Sequence, residues 1–99
     1  MMLLTEEIRK KLPEIGETSE LKREEVKVPL KLFNPCGSWT WYVTEFDGED
    51  LFFGYVDGDF PELGYFSLRE LEGVTLPFGL KIERDMHWND NTTLAEVMA

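Results

Sequence analysis

Three short aromatic runs constrain this chain more than any other feature. They read Trp39-Thr40-Trp41-Tyr42-Val43-Thr44-Glu45, Leu51-Phe52-Phe53-Gly54-Tyr55-Val56 and Leu63-Gly64-Tyr65-Phe66-Ser67-Leu68, and they hold eight of the thirteen aromatic residues. Rings and β-branched residues at this density favour strands over helices. Acidic turns separate the runs: Asp47-Gly48-Glu49-Asp50, with Asp-Gly as its hairpin signal, and Asp57-Gly58-Asp59-Phe60-Pro61. Short connections make sequential strands neighbours, so the runs predict an antiparallel meander. Alternation places Trp39, Trp41 and Val43 on one face, the expected core side, and Thr40, Tyr42, Thr44 and Phe46 on the other. In the next strand Phe52 and Gly54 oppose Leu51, Phe53 and Tyr55. A glycine inside a strand signals a bulge or the close approach of a neighbouring ring. Both faces carry rings, so part of Tyr42, Phe46, Phe53 or Tyr55 is expected at the surface as contact area.

The flanking segments complete an α+β domain. Thr5 can cap a helix running to Leu12, with Glu6 and Glu7 in the first turn and Arg9, Lys10 and Lys11 towards the end, where the helix dipole favours each sign. Leu4, Ile8 and Leu12 form its apolar stripe, and Pro13 stops it. Residues 14–25 are polar and read as a loop, a candidate mobile segment. Val26, Val28, Leu30 and Leu32 alternate with Lys27, Pro29 and Lys31, which predicts a half-buried strand over 26–33. Pro29 makes it an edge or marks a bulge, and the lysines would discourage pairing with a second chain. Asn34-Pro35-Cys36-Gly37 is a turn. Ser67-Leu68-Arg69-Glu70 and Thr93-Leu94-Ala95-Glu96 fit capping boxes, so one helix follows the fourth strand and ends near Gly73, and another ends the sequence. Gly79–Trp88 is expected to begin as a fifth strand with Leu80 and Ile82 inward. The whole is one domain over residues 1–99, a twisted antiparallel sheet of about five strands with short helices.

Charge is distributed unevenly. Residues 1–33 are neutral, with seven acids and seven bases, while residues 34–99 carry thirteen acids against three bases and supply the whole −10. Seven acids and no base lie between Glu45 and Glu62. Such a field repels phosphate backbones, so direct nucleic-acid binding is not expected. A partner protein with basic residues is expected instead, with Asp47, Glu49, Asp50, Asp57, Asp59 and Glu62 as the candidate contacts. In an unbroken meander the two turns fall at opposite ends of the sheet, which divides these acids into two groups. The short apolar runs exclude a membrane-crossing helix, and Met1–Glu7 lacks the pattern of a signal peptide. A lone cysteine, Cys36, cannot form an internal disulfide. These features predict a cytoplasmic protein, a monomer rather than a dimer.

Few residues could carry chemistry. The only histidine, His87, and Cys36 would form a nucleophile–base pair only if two distant turns met. Glu83, Asp85 and His87 would line one face of an extended strand, and two carboxylates with an imidazole are a ligand set for a divalent metal. A metal-binding protein or metal-dependent enzyme is therefore the alternative reading. Neither acidic turn has the ligand spacing of a calcium loop. There is no phosphate-binding glycine loop and no Cys-x-x-Cys, so no cofactor is expected, and a non-enzymatic module is favoured over an enzyme.

Taken together, the residues resemble a bacterial family of domains of unknown function, number two-nine-five-eight. The likeness lies in Leu4–Pro13, Trp39–Glu45, Leu51–Val56, Glu62–Leu68 and Ile82-Glu83-Arg84-Asp85, and covers nearly the whole chain. The resemblance implies a bacterial protein carried by plasmids and other mobile elements. It supplies no activity and no catalytic residue.

Overall fold

In the computed structural model, which describes residues 2–99, the aromatic runs form the centre of a five-stranded antiparallel sheet. The strands are β1 (Leu30–Phe33), β2 (Thr40–Phe46), β3 (Leu51–Asp57), β4 (Glu62–Ser67) and β5 (Glu83–Arg84). Their order across the sheet is β4-β3-β2-β1-β5. Three short helices accompany them: α1 (Glu6–Arg9), α2 (Leu68–Gly73) and α3 (Leu94–Met98). The expected α+β meander is therefore present, with its N-terminal helix and the helix that follows β4.

The caps read from the sequence set the helix starts. Thr5 Oγ1 accepts from the Ile8 N–H at 3.2 Å, Ser67 Oγ from Glu70 N–H at 3.2 Å, and Thr93 and Glu96 cap each other reciprocally. α1 is shorter than the expected Thr5–Leu12, because the chain passes into turns at Lys10 before Pro13 is reached. Its stripe still packs as predicted: Leu4, Ile8 and Leu12 lie against the core.

That core occupies the first face of the sheet. Leu30, Leu32, Val43, Phe46 and Phe52 meet Leu3, Leu71 and Ile82 there. Phe52 is fully buried between Phe46 and Phe66, with ring centroids at 5.0 and 5.7 Å. Phe46 was expected on the opposite face. A β-bulge corrects this: Val43 pairs with Gly54, but Glu45 pairs with Phe53, so Thr44 is the extra residue. One added residue moves every later side chain to the other face. Phe46 thereby turns into the core and Glu45 turns out of it. The Thr44 hydroxyl donates to the Phe53 carbonyl at 3.1 Å and holds the bulge.

Gly54 sits opposite the same irregularity. A Cβ placed there would lie 1.9 Å from the Tyr42 carbonyl oxygen, so the close approach is by backbone rather than by a ring. Trp39 also departs from expectation. It precedes β2, lies against Trp41 and Gly58, and is partly exposed.

The β1 side differs most from the expected layout. β1 begins only at Leu30, after a buried Pro29, and β5 pairs with Leu32 and Phe33, so β1 is interior rather than an edge. Val26 and Val28 do not share the core of Leu30 and Leu32. They join Leu94, Trp88, Tyr42 and Tyr55 in a second cluster on the other face. The Val28 N–H donates to Thr92 O at 2.8 Å and the Leu94 N–H to Val26 O at 2.7 Å, which docks α3 there. β5 is two residues long because the chain turns at Asp85, and Leu80 is exposed while Ile82 is buried.

Replacing Gly54 by alanine is expected to destabilise the domain by about 3 kcal/mol or more, because only backbone movement can relieve the overlap. Gly64, its partner on β4, has nothing within 4 Å of the Cβ position. Gly64→Ala should change stability by less than about 1 kcal/mol, and urea unfolding of the two variants tests the contrast.

Candidate protein-interaction face

The two faces of the sheet are covered unequally. α1, α2 and Ile82 cover the first. On the second, α3 and Trp88 cover the β1–β2 side, where Trp88 Nε1 donates to Val28 O at 2.7 Å and its ring lies 5.7 Å from that of Tyr42. The β3–β4 side is left open. There Leu21, Val26, Phe53, Leu63, Tyr65 and Leu94 line a shallow groove of about 350 Å³. Tyr65 is 62% exposed and meets Phe53 edge-on at 5.0 Å. Of the rings expected to reach the surface, Tyr42, Phe53 and Tyr55 are half-buried and Phe46 is in the core, while the exposed ring of the groove, Tyr65, is one that the alternation does not single out. Burial, followed by the nearby charge of Asp57, raises the Tyr42 phenol above its ordinary value.

Glu45 forms the inner wall of the groove and is only 3% exposed. Its carboxylate accepts from Gly16 N–H at 2.8 Å, from Thr18 N–H at 2.9 Å and from the Thr18 hydroxyl at 2.5 Å. Burial pushes the carboxyl up, but these three donors outweigh it, and the net displacement is below the ordinary value. With both oxygens engaged by fixed donors, Glu45 is a clamp rather than an acid or base. It ties the 14–25 segment to the sheet and so builds one side of the groove. From its sequence position alone Glu45 reads as one more acid. The signal available was a polar segment containing Gly16 and Thr18, small residues that let backbone N–H groups reach a carboxylate.

The six acids proposed as contacts divide as the meander requires. Asp47, Glu49 and Asp50 lie in the β2–β3 turn, and Asp57, Asp59 and Glu62 at the other end of β3. Seven residues of strand separate the groups by roughly 20 Å. Asp47 Oδ1 accepts from the N–H groups of Glu49, Asp50 and Leu51. Asp50 accepts from Ser67 Oγ at 2.6 Å and Arg69 N–H at 2.8 Å, so it caps α2 from a neighbouring turn. Both carboxyls are held below their ordinary value, chiefly by backbone N–H groups for Asp47 and by the Ser67 hydroxyl for Asp50. Glu49, Asp59 and Glu62 are exposed.

The expected metal trio is not assembled. The reading required Glu83, Asp85 and His87 on an extended strand, but Asp85 opens a turn. Its Oδ1 accepts from His87 N–H at 3.0 Å, its Oδ2 pairs with Lys31 at 3.5 Å, and its N–H donates to Lys31 O. Among the described residues no group of three or more His, Cys, Asp or Glu is placed to hold a metal ion. Lys31 also lies 5.2 Å from the Trp88 ring, which gives this cation a structural role. Cys36 is exposed in its turn, with Sγ 4.0 Å from Pro77 O.

A small α+β domain with a meander sheet, one covered face and one half-open face is thus defined. The chain belongs to the family described as protein of unknown function DUF2958, whose model matches residues 3–99. Neither a curated protein nor a solved structure matches the chain. No helix among the described residues is long and apolar enough to cross a membrane.

The Glu45 clamp predicts a pH dependence. A carboxyl whose pKa is lower in the folded than in the unfolded state stabilises above the unfolded value, about 4.3, and loses that contribution as pH falls through the folded value. Glu45→Gln should cost about 1–3 kcal/mol at neutral pH. The difference between wild type and variant should shrink in acid, as urea midpoints measured from pH 7 downwards will show.

Proposed function

We propose that the chain is a non-enzymatic binding or regulatory module that engages a protein partner through the open half of its second sheet face. The observation that carries this reading is the groove itself: Phe53, Leu63 and Tyr65 present apolar and aromatic area to solvent while acids stand at both ends of the strands that carry them. Aromatic area rimmed by polar residues is the composition of a contact surface. The sign of the rim favours a partner with basic residues. If the setting is a mobile element, as the resemblance implies, a basic DNA-handling protein is a natural partner, engaged through charge complementarity rather than through its nucleic acid.

The test is capture from a bacterial lysate by the immobilised wild-type protein, Tyr65→Ser and Phe78→Ser. Phe78 is 98% exposed and does not line the groove, so it serves as the control. The expected result is a partner retained by wild type and Phe78→Ser, lost from Tyr65→Ser, and released by raised salt. Capture that survives Tyr65→Ser, or depends on Phe78 instead, overturns the reading.

A further inference from the structure

The two edges of the sheet are built differently. β5 ends one edge with two residues, Glu83 and Arg84. β4 ends the other with six, Glu62–Ser67, and no strand of the described residues pairs with its outer side. Natural edges are blunted by brevity, lysine, proline or bulges. β4 has neither lysine nor proline within it, and its register with β3 runs unbroken from Val56–Glu62 to Leu51–Ser67.

The hydrogen-bond phase identifies the free groups. The Leu68 N–H donates to Asp50 O at 2.9 Å, just beyond the Leu51–Ser67 pair. In an antiparallel ladder, bonded and non-bonded pairs alternate. Phe66, Gly64 and Glu62 therefore bond inward to β3, and the N–H and C=O groups of Leu63 and Tyr65 point outward. The side chains of these same two residues lie on the groove face, both exposed, where they can pair with residues of a neighbouring strand.

We propose that β4 accepts an added strand: an extended segment of the partner, apolar at alternate positions and carrying Lys or Arg at both ends. This rests on the reading of the open face as a partner site and specifies how that site is used. Charge selects the occupant. Asp57, Asp59 and Glu62 stand at one end of β4, and Glu49 and Asp50 at the other, with Arg69 beside Asp50. A second copy of this chain would bring the Asp57, Asp59 and Glu62 ends together in parallel pairing, and in antiparallel pairing would set them against Glu49 and Asp50 with only Arg69 as a base, and like charges in register oppose pairing. A segment with basic ends meets its complement at each. The main chain supplies affinity and the groove reads alternate side chains, as in other strand-addition complexes.

The test uses the peptide Lys-Arg-Val-Thr-Val-Thr-Val-Arg-Lys, blocked at both termini, with a counterpart bearing Glu for each base and a third version N-methylated at alternate nitrogens. Binding is measured by fluorescence anisotropy at low salt to wild type, Leu63→Ala and Leu63→Pro. Proline at 63 removes an outward N–H without taking a bond from β3, whereas alanine removes only the side chain. The expected result is binding of the basic peptide, no binding of the acidic one, and affinity for Leu63→Pro about tenfold or more below that for Leu63→Ala. Should Leu63→Pro fail to fold by circular dichroism, tenfold weaker binding of the N-methylated peptide to wild type carries the same point. Equal binding by both variants and by the N-methylated peptide overturns strand addition, as does failure of the basic peptide to bind. A sedimenting dimer of the wild type that Leu63→Pro dissociates assigns the edge to a second copy and also overturns it. In the lysate assay, capture retained by Leu63→Pro but lost from Tyr65→Ser would leave the docking face standing and remove only the strand.

Discussion

The position of one extra residue in β2 decides how the rest of the molecule is arranged. Thr44 stands unpaired between Val43 and Glu45. Without it, Phe46 would face away from Phe52 and the core would lose its ring contact at 5.0 Å. Glu45 would at the same time point into that core as an unpaired charge, which is among the most costly arrangements a small domain can contain. The bulge solves both problems at once. The space it needs is provided across the strand by Gly54, where no side chain could stand against the Tyr42 carbonyl. Three features of the sequence, a threonine, a glutamate and a glycine, are thus parts of one device.

The device reaches beyond the sheet. Glu45, turned outward, gathers Gly16 and Thr18 and so fixes a segment that has few apolar anchors of its own. A buried carboxylate with three donors is stable only as long as all three are present. The loop and the strand consequently hold each other, and the groove between them takes its shape from that mutual restraint. Asp50 performs a comparable task at the other end of β3, where it joins a turn to the start of α2. Acids that read in the sequence as a solvated field are in part structural pins.

The elements legible in the sequence were those specified by local chemistry. The Asp-Gly turn, the caps at Thr5, Ser67 and Thr93, and the stripe of Leu4, Ile8 and Leu12 each depend on residues a few positions apart, and each was found where expected. What could not be read depends on distant partners. The face of Phe46 follows from a bulge that only the β3 register exposes. Val26 and Val28 alternate in step with Leu30 and Leu32, yet the chain divides them between two cores, with Thr93, which leads into α3 at the far end of the sequence, bridged to Lys27 between them. The metal reading of Glu83, Asp85 and His87 assumed continued extension, and the bond from Asp85 N–H to Lys31 O with the turn that follows ended it. For the open face, the alternation shows only that rings occupy both sides. Which side α3 would leave uncovered was not local information.

The inequality of the two sheet edges sets a limit on assembly. Chains whose sheets are open at both ends can join into fibres, since each addition leaves another site of the same kind at either side. Here β5 offers two residues at one side, and the acids around β4 oppose a like neighbour at the other. With an added strand of the proposed kind on β4, the sheet would lengthen in one direction only. A molecule extended in this way is a terminus rather than a link, because the two-residue edge at β5 gives a further chain little to pair with.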